Sequence, residues 1–353
     1  MSCSNVYDIS NKVVHGGDVY RNSVKLDYSV NLNPVALPEP VMDAAVSGLR
    51  LEMHQYPDPF QQRLKESIAD YEGIEPDRII CGSGASELIM AVCHAFLPCK
   101  ALITAPSYAG YRRALNAVGA EVKEYLIDER SGFRLDEGFA DAIEDDTDIV
   151  FITEPNNPNG RLIDRDVLEK ITEKCEDKGI ILVIDECFLP LTERGLEKSH
   201  IRGKTLHLRA FTKTFAIPGI RIGYMISASR EMLSEIAMHL PEWNVSRIAE
   251  RTGEAAAKVL AETEYLAESV RMIGVERAYL MKELESLGIK VYESDTNYLL
   301  LRSRPDLYDM LLQRGILIRR CANFSGLDDT YFRIAIRGHE DNEQLIGILR
   351  EII

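Results

Sequence analysis

The chain has 353 residues, which is enough to bury a large core and favours two domains. Its 41 basic and 56 acidic residues give a formal net charge of −15, which argues against a nucleic-acid partner or an anionic membrane surface. No apolar run approaches the length needed to cross a bilayer, and residues 1–18 lack the apolar centre of a signal peptide, so a cytoplasmic protein is expected.

The first two thirds of the chain alternate short apolar runs with helical patterns. This alternation predicts an α/β fold with a mostly parallel sheet covered by helices on both faces. The predicted strands are residues 78–81, 101–104, 121–126, 149–153, 181–185, 205–208 and 223–226. Ligands of such sheets bind beyond the carboxyl ends of the strands, where Gly82, Asn157 and Asp185 all fall. The sequence therefore predicts one crevice that gathers these residues.

The last third of the chain has a different pattern. Residues 246–287 are rich in helix-favouring side chains with apolar positions at helical spacing, which predicts one long linking helix. The strands predicted after it are residues 290–292, 298–301, 316–319 and 331–336, with helices at 304–313 and 342–353. We therefore predict an N-terminal arm (1–40) that packs on the small domain or on a partner, a large domain (41–245), and a linking helix with a small α+β domain (246–353).

The seven cysteines and seven histidines give no metal-binding pattern. No Cys-x-x-Cys pair occurs, so the cysteines are expected to be reduced thiols and no metal is expected. Cys187, two residues after Asp185, is expected to be a small buried apolar residue at or near the crevice.

Lys213 and Arg221 form the most informative pair in the sequence. They lie in the run FTKTFAIPGIRIGY, eight residues apart with a Pro-Gly turn between them. A lysine amine forms imines with aldehydes and an arginine binds phosphate, so the pair suits pyridoxal phosphate, which carries both groups. Taken alone, however, such a pair is more typical of two solvated surface charges.

Three other segments change that balance. Residues 154–160 (EPNNPNG) resemble the Asn-Pro-x-Gly turn of fold-type I aminotransferases, residues 181–186 (ILVIDE) end in a carboxylate, and residues 81–86 (CGSGAS) precede a helical pattern. All four motifs occur in the family's order, so the chain resembles fold-type I pyridoxal-phosphate enzymes over nearly its whole length. The resemblance implies a large domain with a mostly parallel seven-stranded sheet and a smaller α+β domain.

The same resemblance assigns a role to each residue of the cofactor site. Lys213 would bind the aldehyde and carry protons at the substrate's α-carbon, and Asp185 would pair with the protonated ring nitrogen. The other cofactor-binding residues would be Gly84, Ala85, Thr212 and Arg221 at the phosphate, Asn157 at the phenolic oxygen and Tyr108 on the ring face.

Tyr56 resembles the tyrosine that reaches the cofactor phosphate from a neighbouring subunit. This position is the basis for predicting a homodimer. Without the family resemblance, an ordinary core or surface aromatic residue would be equally expected at Tyr56.

Two positions depart from the aminotransferase pattern. Phe188 stands where many members carry a tyrosine three residues after the aspartate, and Ala210 stands where a serine often precedes the Thr-Lys pair. Each change removes one hydroxyl from the expected cofactor site, so Thr212 would supply the phosphate hydroxyl alone.

Both ends of the chain resemble one branch of the family, the threonine-phosphate decarboxylases of cobalamin biosynthesis. At the N-terminal end the resemblance rests on His15-Gly16-Gly17 and on LDYSVNLNP at 26–34, and at the C-terminal end on ILIRRCANFSGLD at 316–328 and YFRIAIR at 331–337. Phe188 agrees with this branch. Histidinol-phosphate aminotransferases share the core motifs, but they open with an acidic Asn-Glu-Asn-Pro pattern where this chain has Val-Asn-Leu-Asn-Pro.

The substrate implied by this branch is a small phosphorylated amino acid that carries both a carboxylate and a phosphate. Arg333 matches the arginine that grips the substrate carboxylate across the superfamily. The other substrate-binding candidates are His15, Gly16, Asn31 and Asn33 as a lid over the phosphate, together with Asn157, Arg319 and Arg337. His15 could instead belong to an arm without a role.

The residues alone do not separate decarboxylation from transamination, because the two reactions differ by rotation about one bond. A histidinol-phosphate-type aminotransferase and a decarboxylase of L-serine O-phosphate therefore remain alternatives. Serine phosphate lacks one methyl of threonine phosphate, and a methyl gives only about 1 to 3 kcal/mol of discrimination.

A regulator without activity is disfavoured by the acidic charge and by the expectation that no basic DNA-binding segment precedes His15.

Overall fold

The structure, a computed structural model, describes residues 16–197 and 201–353. Its strands are β1 (Leu26–Asp27), β2 (Ile79–Gly82), β3 (Lys100–Ala105), β4 (Glu121–Leu126), β5 (Ile149–Thr153), β6 (Ile181–Asp185), β7 (Thr205–Ala210), β8 (Gly223–Ile226), β9 (Lys290–Val291), β10 (Tyr298–Arg302), β11 (Ile316–Leu317), β12 (Arg319–Arg320) and β13 (Tyr331–Ala335). The central sheet has the order β2-β8-β7-β6-β5-β3-β4, and β8 runs antiparallel to both of its neighbours. The predicted seven-stranded, mostly parallel sheet is therefore confirmed.

Helices cover both faces of this sheet, as predicted. The helices are α1 (Glu39–Ser47), α2 (Gln62–Glu72), α3 (Ala85–Phe96), α4 (Gly110–Ala117), α5 (Gly138–Asp141), α6 (Arg165–Lys178), α7 (Phe211–Thr214), α8 (Arg230–Ala237), α9 (Arg247–Glu262), α10 (Tyr265–Ser286), α11 (Leu307–Gln313) and α12 (His339–Ile352). No helix within residues 16–197 and 201–353 is long and apolar enough to span a membrane.

Alternating side chains of the buried strands build the two cores. Successive residues of a strand point to opposite faces of the sheet. In β5, Phe151 therefore joins the cluster made with α3, α4 and α8, whereas Val150 and Ile152 join the cluster made with α5 and α6. Because both faces of β5 are covered, its five residues are all buried, which explains why its sequence is apolar throughout.

A second sheet with the order β12-β13-β10-β9 forms the C-terminal part. Its strands are antiparallel, and α10, α11 and α12 contribute leucines and isoleucines to the core beside it. The N-terminal segment joins this part, because β1 pairs in parallel with β11 and Tyr28 is buried in the same core. Strands β1 and β11 form a separate two-stranded sheet, and residues 26–28 therefore pack on the C-terminal part.

Two predicted elements are divided in the structure. The long linking helix is two helices, because Thr263 is extended and its hydroxyl donates to the Val259 carbonyl at 2.7 Å. The strand predicted at 316–319 splits because β11 pairs with β1 whereas β12 pairs with β13. Helix α9 packs against α1 and α2 on the central-sheet side, while the predicted domain division itself remains a prediction.

Candidate active site

A cavity of about 300 Å³ lies at the carboxyl ends of the central strands. Asp185 ends β6, Thr153 ends β5 and Ala210 ends β7, and all three line it. The structure brings most of the predicted site residues to this cavity. They are Gly16, Asn31, Ala85, Tyr108, Asn157, Asp185, Thr212, Lys213, Arg221, Arg319 and Arg333.

Lys213 reaches the cavity from α7, the single helical turn that follows β7. Burial, together with the positive charge of Arg333, lowers the pKa of its amine to about 8. The neutral amine is therefore far more populated at neutral pH than in an exposed lysine, and only the neutral amine can attack an aldehyde. The amine nitrogen lies 5.6 Å from the centre of the Phe188 ring, so one side of its surroundings is apolar.

Asp185 is held by neutral donors. Its Oδ2 accepts a hydrogen bond from the Tyr111 hydroxyl at 2.6 Å, and its Oδ1 accepts one from the Cys187 backbone N–H at 3.0 Å. Burial raises the pKa of this carboxyl. A protonated ring nitrogen placed beside Asp185 would supply the opposite charge that stabilises the carboxylate form.

Tyr111 was not among the predicted residues. It lies on α4, three residues after Tyr108, and its ring stacks on Phe151 with centroids 5.3 Å apart. Burial, with the negative charge of Asp185 as the next cause, raises its pKa well above the usual value, so its hydroxyl stays a donor. The helical spacing from Tyr108 was the one signal in the sequence that could have indicated it.

Three of the predicted phosphate-binding residues, Gly84, Ala85 and Arg221, lie where α3 begins. Gly84 caps this helix with a positive φ of 83°, and a Cβ at this position would lie 2.5 Å from Nη2 of Arg221. Arg221 in turn donates to the carbonyl oxygens of Ser83 at 3.4 Å and Pro218 at 3.3 Å. Backbone N–H groups at the helix start and a guanidinium thus face one region, which is the arrangement that binds phosphate.

Arg333 and Arg319 bring two further cations to the cavity. Arg333 donates to Asn157 Oδ1 at 2.6 Å and to the Ser29 carbonyl at 3.0 Å, while its buried Nε has no hydrogen-bond partner in the described part of the chain. Arg319 donates to Asn323 Oδ1 at 2.8 Å. Burial, together with the positive charge of Arg333, lowers the pKa of Arg319 to about 10.

Asn31 places an unsatisfied amide in the cavity wall. Its side chain is buried, and neither its amide nitrogen nor its oxygen has a partner among the described residues. Buried polar atoms are nearly always hydrogen-bonded in folded proteins, so this amide is suited to a polar ligand group. Gly16 lines the same side of the cavity, and a Cβ there would lie 2.6 Å from the Ser29 carbonyl oxygen.

Of the predicted residues that the structure describes, Asn33, Arg337 and Tyr56 do not line the cavity, and Gly84 adjoins it only through its neighbour Ala85. Asn33 donates to the Thr214 carbonyl and to Ser269 Oγ, both at 2.8 Å, so its amide holds the end of α7 instead. Arg337 donates to Asp341 Oδ2 at 2.8 Å and to the Asp27 carbonyl at 3.1 Å, outside the cavity lining. Tyr56 is 80% exposed on the surface. His15 lies outside the described residues.

The cavity residues fit pyridoxal phosphate. Lys213 offers an amine with a lowered pKa, and Asp185 offers a carboxylate whose hydrogen-bond donors are neutral. Arg221 lies at the start of α3, where Gly84 leaves space because it has no Cβ. Residues 16–197 and 201–353 contain no cluster of histidine, cysteine, aspartate and glutamate that could hold a metal ion. The polar groups thus match an aldehyde, a pyridine nitrogen and a phosphate.

Fold and cavity together define a pyridoxal-phosphate-dependent enzyme of fold type I. Comparison with known proteins agrees: residues 23–349 match the family of class I and II aminotransferases, and the chain belongs to that family.

Relatives in this family carry more than one activity in their names. Threonine-phosphate decarboxylase of Salmonella typhimurium is 32% identical, covering 96% of both chains. Histidinol-phosphate aminotransferase of Caldanaerobacter subterraneus is 33% identical, covering 93% of both chains. The crystal structure of the histidinol-phosphate aminotransferase of Clostridium acetobutylicum superimposes with a TM-score of 0.84 at 35% identity, covering 93% of this chain and 98% of that one.

Proposed function

We propose that this protein decarboxylates L-threonine O-3-phosphate to (R)-1-aminopropan-2-ol phosphate, the amine used in cobalamin biosynthesis. The observation that carries the proposal is the pair of buried arginines, Arg319 and Arg333, which line the cavity in addition to Arg221. Threonine phosphate carries two anionic groups, a carboxylate that Arg333 would bind and a phosphate that needs a second cation. The relative named threonine-phosphate decarboxylase aligns over nearly the full length of both chains, which supports the same choice.

Lys213, Asp185 and Arg221 would hold the cofactor, and Asn157 and Tyr108 would contact its ring. When bound, pyridoxal phosphate withdraws the electrons of the bond that breaks at the substrate's α-carbon. Asp185 would keep a proton on the ring nitrogen, which that withdrawal requires. Arg333 would bind the substrate carboxylate through the fork of its guanidinium, and its Nε, which has no partner among the described residues, is one donor suited to this contact.

The way in which the substrate is bound would determine which bond at the α-carbon breaks. Two cations that hold a phosphate and a carboxylate restrict rotation about the bonds at the α-carbon. Once carbon dioxide has left, Lys213 could return a proton to that carbon, since its lowered pKa lets the amine exchange protons near neutral pH. Phe188 and Phe324 line the cavity as apolar side chains and would keep water from this position.

The direct test is to incubate the purified protein with pyridoxal phosphate and L-threonine O-3-phosphate in the absence of any keto acid. We expect repeated turnovers with equal amounts of carbon dioxide and amine, because decarboxylation regenerates the cofactor. Conversion of the bound cofactor to its amine form by histidinol phosphate, without carbon dioxide, would identify an aminotransferase instead. In the same assay L-serine O-phosphate should react with kcat/KM lower by about 10- to 200-fold, since it lacks one methyl.

We also propose that the protein works as a homodimer in which Tyr56 reaches the partner's site. Tyr56 lies in a segment with several exposed apolar side chains, with Leu51, Met53 and Phe60 exposed by 65%, 68% and 75%. The Tyr56 ring also packs on Trp243 with centroids 4.9 Å apart. Several large apolar side chains exposed in one segment are typical of an association surface, and a second copy of this chain would cover them.

A mixing experiment tests the position of Tyr56. We expect Tyr56→Ala to weaken cofactor affinity by about tenfold, because a hydrogen bond to the cofactor phosphate would be lost. When this variant is mixed with Lys213→Ala, hybrid dimers should contain one fully native site and so recover native cofactor affinity. Tyr20→Ala, which removes a tyrosine that is 94% exposed, is the control. Hybrids that gain nothing over Tyr56→Ala alone would contradict the shared site.

A further inference from the structure

Three polar side chains connect the phosphate-binding turn to the surface around Tyr56. The backbone N–H of Ser83 donates to Glu87 Oε2 at 2.7 Å, and the same oxygen accepts from Asn244 Nδ2 at 2.8 Å. Asn244 Oδ1 accepts from Gln61 Nε2 at 2.7 Å. The connection therefore runs from the turn before α3, through Glu87 and Asn244, to Gln61 at the N-cap of α2.

Asn244 fixes both the strand end and the turn that follows it. Besides Glu87, its Nδ2 contacts the carbonyl oxygen of Cys81 on β2, at 3.2 Å. Cys81 and Glu87 flank the residues whose backbone would contact the cofactor phosphate. A loss of the Asn244 donor would free both flanks of this turn.

Glu87 would otherwise oppose an anion at the same helix start. A carboxylate in the first turn stabilises the helix, but it also repels a phosphate within a few ångströms. Glu87 is absent from the cavity lining and is engaged by Ser83 and Asn244 instead. Asn244 thus holds a negative charge away from the phosphate position.

The other end of the connection adjoins the aromatic pair Tyr56–Trp243 along the chain. Asn244 directly follows Trp243, which is 46% exposed and has a positive φ of 55°. Gln61 is only 8% exposed and also has a positive φ, of 53°. Such backbone conformations cost free energy in residues other than glycine and persist only where the surroundings hold them. The hydrogen bond between Gln61 and Asn244 ties these two segments together beside Tyr56.

We propose that Asn244 is a positioning residue that couples the Tyr56–Trp243 surface to the phosphate-binding turn, so that cofactor binding and association with a second copy of the chain strengthen each other. Coupling between two binding events is reciprocal, so either event can be used to observe it. The inference rests on the proposed cofactor site and homodimer, but the connection can be measured without turnover.

The experiment compares three variants with the native chain. Asn244→Asp keeps the size of the side chain but replaces the donor to Glu87 with a like charge, and Gln61→Ala cuts the other end of the connection. Gln62→Ala is the matched control, because the side chain of the neighbouring Gln62 donates to Glu66 Oε1 on the exposed side of α2, at 2.9 Å. Cofactor affinity is measured by titration with pyridoxal phosphate, and association by sedimentation with and without cofactor. Circular dichroism establishes that each variant is folded.

Trp243 provides a second readout, since it is the single tryptophan of the chain. Inorganic phosphate added to cofactor-free protein should occupy the turn without absorbing where tryptophan emits. We expect phosphate to shift the emission of Trp243 in the native chain and in Gln62→Ala, and to leave it unchanged in Asn244→Asp. This readout remains usable if Asn244→Asp is too unstable for titration, because Gln61→Ala should also lose the shift.

The expected result is cofactor affinity about tenfold weaker in Asn244→Asp, as for loss of one hydrogen bond to a charged group. In Gln61→Ala, cofactor should no longer strengthen association. Native cofactor affinity in Asn244→Asp, or a Trp243 response to phosphate that survives both substitutions, would overturn the coupling. If the native chain bound no pyridoxal phosphate, the proposed function would be refuted. The Trp243 response to inorganic phosphate would still test whether the phosphate-binding turn is coupled to the Tyr56–Trp243 surface.

Discussion

Replacing Lys213 with alanine is expected to lower turnover by at least about 10³-fold, because the substitution removes both the amine that binds the cofactor aldehyde and the group that carries protons. The substitution shortens a side chain that lines the cavity and introduces no new polar group, so the fold should be retained. Cofactor should still bind, more weakly, through its phosphate. The long-wavelength absorbance of lysine-bound cofactor should be lost.

The covalent link gives this prediction a readout independent of activity. Borohydride reduction of the native protein should fix the cofactor on the peptide that contains Lys213, as detected by mass spectrometry. Lys123→Ala is the control, because Lys123 forms an exposed ion pair with Glu144 on the far edge of the sheet. An active Lys213→Ala enzyme, or label on a different lysine, would refute the cofactor assignment.

The central sheet could be predicted because local sequence and tertiary environment agree there. Strand β6 is flanked by β5 and β7 and covered on both faces, so its apolar run and its terminal Asp185 were both informative. The C-terminal part was harder because strand pairing depends on distant partners. Nothing local in residues 316–320 reveals that β11 pairs with β1 and β12 with β13. Likewise, Thr263 interrupts a helical pattern through its own side-chain hydrogen bonds.

The cofactor side of the candidate site was also more predictable than the substrate side. Lys213, Asp185 and Arg221 belong to motifs with fixed spacing, and all three line the cavity. Asn33 and Arg337 lie in equally suggestive runs, yet Asn33 bonds Ser269 and Arg337 bonds Asp341. Which polar partner an amide or a guanidinium finds is a tertiary property that neighbouring sequence does not encode.

Arg333 is the residue on which the choice of substrate depends most. Arg333→Ala is expected to raise KM for threonine phosphate by about 100-fold or more, because a carboxylate buried in the cavity would lose its cationic partner. The affinity for pyridoxal phosphate should change much less, since the cofactor phosphate is assigned to Arg221 and the turn before α3. KM is measured by carbon dioxide release, and cofactor affinity by absorbance titration.

Two further arginines sharpen this comparison. Arg320→Ala is the control, because Arg320 neighbours Arg319 but forms an exposed ion pair with Asp309, and such pairs contribute about 0 to 1 kcal/mol. Arg337→Ala tests the remaining sequence prediction for the substrate anion. Because Arg337 is bonded to Asp341 outside the cavity, we expect a smaller rise in KM than for Arg333→Ala. Equal losses of substrate and cofactor affinity in Arg333→Ala would indicate that Arg333 acts by positioning Asn157, to which it donates. The argument that the cavity selects a substrate with two anionic groups would then fail.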